Sequence, residues 1–212
     1  MNIKSFTFNP FQENTYVVYD ESKECIIIDP GCYAAQEQED LKRFIDEKAL
    51  APVKLINTHC HIDHILGNQF VSEKWNLELY MHKLEIPLLE KASEIGEMYG
   101  LKEYKGSPFP KHFLDEKDIL TFGKSKFNIL FTPGHAPGHI CLYNKENNLL
   151  VAGDVIFQGS IGRTDLPGGN HETLINSIIT KLFPLPNSTQ IFCGHGPSTN
   201  LGYEKEHNPF LQ

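Results

Sequence analysis

Thr58-His59-Cys60-His61-Ile62-Asp63-His64 closes a short strand expected over residues 53–58, so a cluster of polar side chains sits where that strand ends. Imidazole and carboxylate donors packed this densely suit zinc, iron or manganese and need no thiolate. In an extended backbone His59 and His61 face one side and Cys60 the other. Asp63 and His64, at the entry to the next helix, then reach a second position beside the first. The plain alternative is a polar loop with Asp63 capping a helix. One histidine would suit that alternative; this density of donors favours metal.

Three later segments repeat the form, a donor placed just past an apolar strand and flanked by glycine: Phe131-Thr132-Pro133-Gly134-His135, Val151-Ala152-Gly153-Asp154 and Phe192-Cys193-Gly194-His195-Gly196. Glycine permits unusual backbone angles and close approach at such turns. Singly, His135 and His195 also suit structural histidines, and Asp154 a turn cap. Together with His59, His61, Asp63 and His64 they supply donors for two ions sharing a carboxylate.

Outward from these motifs, strands are expected at residues 3–8, 15–19, 24–28, 53–58, 77–81, 119–122, 127–131, 140–143, 149–152 and 190–193. Helices are expected at 38–48, where Leu41, Phe44 and Ile45 share a face, after the histidine cluster, at 84–93 and at 173–183 before Pro184. Residues 96–114, rich in Gly, Pro and aromatics, read as a loop over a site. No linker or repeat divides the chain, so residues 1–212 are expected to form a single domain of sheets covered by helices.

Composition narrows the classes. With 27 acidic and 19 basic residues the formal charge is -8, and no Lys/Arg cluster marks a nucleic-acid groove. No apolar run is long enough for a membrane span and no leader is evident, so neither nucleic acid nor membrane is expected as a partner. The five cysteines form no CxxC pair, which suits a reducing, cytoplasmic setting.

The THxHxDH, TPGH, GD and GHG runs, in this order, resemble the metallo-β-lactamase superfamily, and within it the short glyoxalase II-like hydrolases. The resemblance covers almost the whole chain. It implies an α/β (α+β) fold, a four-layer αββα sandwich with metals at one edge between the sheets. It implies one ion on His59, His61 and His135, a second on Asp63, His64 and His195, and Asp154 between them, Asp63 and Asp154 being the catalytic carboxylates. Two zinc ions per chain are implied, with iron or manganese as alternatives, and a bridging hydroxide that attacks a thioester such as an acyl-glutathione.

Arg163, in the Gly162-Arg163-Thr164-Asp165 run, is the candidate contact for an anionic small-molecule substrate; a salt bridge to Asp165 is the alternative. Full-length glyoxalase II enzymes carry lysine and tyrosine here and add a C-terminal helical domain, for which too few residues follow Asp154. The GRTD run also resembles persulfide dioxygenases, so a mononuclear iron enzyme is the first rival. A lactonase or β-lactamase fits less well, and a non-catalytic metal-binding protein is the alternative of another class. Leu66, Phe70 and Trp75 are expected in the core, Cys60 as packing, and His82, His112, His139, His171 and His207 outside any ligand cluster. Tyr33 and Tyr143 are weaker candidates for donors to an oxyanion, and residues 204–207 are expected to be solvated surface.

Overall fold

The computed structural model describes residues 1–212. Its contacts divide the chain into two compact units, Met1–Phe113 with Thr121–Ser125, and Leu114–Leu120 with Lys126–Gln212.

The first unit is a six-stranded sheet in the order β1 (Asn2–Phe8), β2 (Glu13–Tyr19), β3 (Glu24–Ile28), β4 (Ala51–Ile56), β5 (Leu79–Met81), β6 (His112–Phe113). β1 to β3 pair antiparallel through short turns. From β3 onward the pairing is parallel, and each parallel connection requires a crossover. These crossovers are α1 (Ala35–Glu47), then α2 (Ile62–Ile65) with α3 (Asn68–Trp75), then α4 (Ile86–Met98). Leu41 and Ile45 of α1 are buried in one core with Ile27, Leu55, Leu79 and Val71, while Phe44 packs at its margin. Glu37 starts this helix by accepting the N–H groups of Tyr33 and Ala34 on Oε2, at 2.8 and 2.9 Å. An acceptor and a negative charge there satisfy orphan amides and oppose the helix dipole.

A second sheet, most of it in the second unit, has the order β14 (Thr199–Asn200), β13 (Gln190–Cys193), β10 (Leu149–Gly153), β9 (Ile140–Asn144), β8 (Ser125–Phe131), β7 (Ile119–Phe122). The second unit also carries the small hairpin β11 (Ile156–Phe157) and β12 (Ser160–Ile161), with helices α5 (His171–Ser177) and α6 (Leu201–His207). β8 and β10 each run antiparallel to β9, and β13 runs parallel to β10. The C-terminal ends of β8, β10 and β13 therefore lie at one edge of the sheet. Both faces of β10 are buried, which is why its residues show no alternation.

Four departures from the sequence expectation have simple causes. α4 continues to Met98, past Gly96, whose missing side chain leaves room for Tyr104. The 96–114 segment contains the two-residue strand β6. The helix expected to run to Phe183 ends as a π turn over Ile178–Leu182, with Phe183 N bonded to Ile178 O at 3.0 Å. The β11–β12 hairpin, β14 and α6 are too short to leave a periodic signature.

Candidate metal centre

In the first unit the parallel pair β3 and β4 delivers Asp29 and the histidine cluster to the same sheet edge. Asp29 adopts φ 48°, a left-handed conformation that aspartate tolerates better than most residues. Its Oδ1 accepts Thr58 N at 2.7 Å and its Oδ2 accepts Thr58 Oγ1 at 2.6 Å. His64 Nδ1 donates to the same Oδ2 at 3.2 Å. Because Thr58 gives its hydroxyl proton to Asp29, its oxygen is left to accept from His59 Nδ1 at 3.1 Å. Both rings are thereby held as Nδ1–H tautomers with Nε2 as the lone-pair nitrogen. The His59 ring centroid lies 4.8 Å from that of His61 and 4.1 Å from that of His64. Asp63 Oδ2 lies 3.7 Å from His64 Nε2.

Cys60 turns the other way, as the alternation required, with Sγ 3.6 Å from Met81 Sδ in the core. The fully buried Glu85 accepts the Cys60 N–H at 2.7 Å, tying down the backbone between His59 and His61. Burial, with the charges of Glu85 and Asp29, pushes the Cys60 thiol well up, so it is no thiolate nucleophile. Burial likewise pushes the Glu13 carboxyl well above the usual range; His64 opposes this, while Asp29 and Asp63 reinforce it.

In the second unit the shared edge gathers His135, Asp154 and His195. Gly134, at φ 130°, lets the chain turn after β8 against the α5 backbone at Leu174. His135 Nδ1 donates to the Arg163 carbonyl at 2.7 Å, leaving Nε2 toward Asp154 Oδ2 at 3.5 Å. His195 Nε2 stands 3.5 Å from the same oxygen. A Cβ at Gly162 would run into the Asp154 carbonyl and His135 Nδ1, so only glycine permits this approach.

Donor separations test the fit to a metal. Two ligand atoms each about 2.1 Å from a tetrahedral ion stand roughly 3.4 Å apart. The separations of 3.5 Å and 3.7 Å within the two units match that spacing and are long for hydrogen bonds. The donor set of imidazoles and carboxylates, with tautomers fixed from behind, fits a divalent transition ion.

The structure also places residues that the sequence left unassigned. His139, expected outside any cluster, is fully buried and accepts the Asp154 N–H on Nε2 at 3.0 Å. Its Nδ1 meets Thr132 Oγ1 at 3.2 Å. Asp29 and Glu85 carried no motif signal; Asp29 follows β3 directly, and Glu85 closes the short turn Lys83–Glu85 that leads into α4. Arg163 is exposed, and its Nε and Nη2 grip both Asp165 oxygens at 2.8 and 2.7 Å. The Arg163 guanidinium beside Asp165 holds that carboxyl down to about 2. Tyr143 OH donates to Asn148 at 3.3 Å and Tyr33 OH accepts Glu103 N at 2.9 Å, roles within turns and loops. His171 is exposed at the start of α5. Leu66 is buried, and Phe70 and Trp75 pack against the same core.

The sequence profile of the metallo-beta-lactamase superfamily matches residues 8–195. The chain is 40% identical over 213 residues to the probable metallo-hydrolase YqgX of Bacillus subtilis, covering 100% of this chain and 98% of that protein. It is 39% identical over 212 residues to the hydroxyacylglutathione hydrolase GloC of Haemophilus influenzae, covering 100% and 98%. The crystal structure of the BLEG-1 B3 metallo-beta-lactamase superposes with a TM-score of 0.91 at 37% identity, covering 99% of each chain.

Proposed function

This chain belongs to the metallo-beta-lactamase superfamily and has its fold and its metal-binding His/Asp motifs, and from that premise we propose that it is a two-metal hydrolase of thioesters of the acyl-glutathione type. The observation that carries the reading is the pair of donor sets, His59, His61, Asp63 and His64 in one unit and His135, Asp154 and His195 in the other, with ligand-like spacing between Asp63 and His64 and from Asp154 to His135 and His195. One ion would be held by His59, His61 and His135, the other by Asp63, His64 and His195, and Asp154 would serve both. Bound there, such a pair of ions acidifies water toward neutrality and polarises a carbonyl.

The residues of this chain prepare that chemistry in advance. Asp29, Thr58 and the Arg163 carbonyl set the imidazole tautomers; His139 holds the Asp154 backbone; Glu85 holds the amide between His59 and His61. Preorganised ligands cost little reorganisation when charge develops. The GloC relative supports a thioester substrate. Arg163 is proposed to exchange Asp165 for a substrate carboxylate, its planar fork suiting either. Zinc is the proposed metal, with iron or manganese as alternatives, and the cytoplasm the proposed setting, since no cysteine forms a disulfide. No helix is long and apolar enough to cross a membrane. Residues 1–212 are proposed to act as one domain without a nucleic-acid or membrane partner.

One preparation tests the reading. Its metals are quantified, and it is then assayed anaerobically on an acyl-glutathione and a β-lactam, and on glutathione persulfide with an oxygen electrode. Thioester cleavage without oxygen, lost on chelation and restored by zinc, is the expected result. Oxygen uptake tied to persulfide would identify the rival iron dioxygenase suggested by the GRTD run. β-Lactam turnover alone would place the chain with lactamases such as its BLEG-1 neighbour.

A further inference from the structure

Of residues 204–207, expected as solvated surface, Glu206 and His207 are exposed and Lys205 is half-buried, but Glu204 is not on the surface. All four belong to α6, and Glu204 in its first turn is fully buried. No cation faces this carboxylate; three neutral donors do. Oε1 accepts Thr199 Oγ1 at 2.6 Å, and Oε2 accepts Gly159 N and Asn208 Nδ2, each at 2.9 Å. Asn208, also fully buried, spends its second amide proton on the Ser160 carbonyl at 2.9 Å. Burying a carboxylate is costly unless its acceptor sites are filled; here one is filled from the tip of the β11–β12 hairpin by Gly159 N, and the others by Thr199 and Asn208 from either side of α6.

That hairpin and the residues flanking it reach all three candidate ligands of its unit. It begins immediately after Asp154, and its base is closed by Gly162 N on Val155 O at 3.3 Å. Its return strand leads into Arg163, whose carbonyl orients His135. The Phe157 ring meets the His195 ring edge to face, with centroids 6.1 Å apart. A two-residue pairing such as β11–β12 is too short to hold itself. We infer that Glu204 is a positioning residue, which pins the hairpin tip at Gly159 and so sets the orientation of His135, Asp154 and His195. This rests on the metal-centre reading for its consequence, though not for the contact itself.

The test uses Glu204→Ala, Glu204→Gln and Asn208→Ala. A glutamine can keep the pattern, its carbonyl oxygen accepting Gly159 N and Asn208 Nδ2 while its amide donates to Thr199 Oγ1. Hydrogen–deuterium exchange in EDTA is followed for residues 155–162, with residues 13–19 as control. Glu204→Ala and Asn208→Ala should accelerate exchange of 155–162 by tenfold or more and leave the control unchanged, whereas Glu204→Gln should stay within about threefold of the parent. In zinc-loaded protein, the two alanine variants should release metal to a chromogenic chelator at least fivefold faster, with rescue in Glu204→Gln. Parental exchange at 155–162 in both alanine variants overturns the inference. So does faster exchange with parental metal release, which would make Glu204 structural only. If Glu204→Ala does not fold, Asn208→Ala decides by the same criteria. If the parent holds no metal, the metal-centre reading fails, and exchange at 155–162 still decides whether Glu204 pins the hairpin.

Discussion

The Asp154 backbone N–H is bound by His139 Nε2 at 3.0 Å, so a fully buried histidine fixes the main chain of the central carboxylate from behind. The ring is thereby held as the Nδ1–H tautomer, and its Nδ1 meets Thr132 Oγ1 at 3.2 Å.

His139→Ala removes that acceptor and opens a cavity beside Asp154. The stranded amide alone costs about 1–3 kcal/mol. Urea unfolding of metal-free protein should show a loss of about 2 kcal/mol or more once the cavity is included, and metal content should fall in parallel. Unchanged stability would remove His139 from this role.

Asp154→Asn keeps the size of the side chain while removing its charge. The fold should survive, since the backbone contacts of residue 154 are unaltered, but bound metal should drop below the parental stoichiometry because an amide compensates two cations poorly. Elemental analysis beside a thermal melt separates the two effects. Full occupancy with full turnover would argue against a shared ligand.

Arg163→Ala removes an exposed guanidinium paired with an exposed carboxylate, and such pairs contribute little to stability. The melting temperature should therefore not move measurably. KM for a carboxylate-bearing thioester should rise several-fold while that for a neutral thioester changes little. Equal effects on both substrates would assign Arg163 to the pair with Asp165 alone.

Asp20 gives a pH prediction. Burial pushes its carboxyl up, but donors from Ser22, Ser125 and the backbone N–H groups of Ser22 and Lys124 outweigh this and hold it well below the usual range. A depressed carboxyl contributes stability above its unfolded pKa of about 3.9, and that contribution is lost as pH falls toward the folded value. The difference in melting temperature between parent and Asp20→Asn should thus be full at pH 6–7 and shrink below about pH 4. A difference independent of pH would show that the charge is not what matters.

The candidate donors were legible in the sequence because the proposed metal chemistry demands particular side chains at strand ends. THCHIDH, TPGH, GD and GHG contain all seven candidates, and local spacing alone turns Cys60 away from His59 and His61. The long strands and α1 were legible for a related reason, since burial on a sheet or helix face imposes a period on neighbouring residues. What tertiary structure decided are the supports whose partners lie far along the chain. Asp29 reaches His64 across 35 positions, and Glu204 reaches Gly159 across 45. His139 had no cluster around it in the sequence and meets Asp154 only because β9 and β10 pair antiparallel. No local period records such contacts. Whether a buried carboxylate or histidine is bound, and by what, follows from the strand order that brings its partner alongside, and only the folded chain fixes that order.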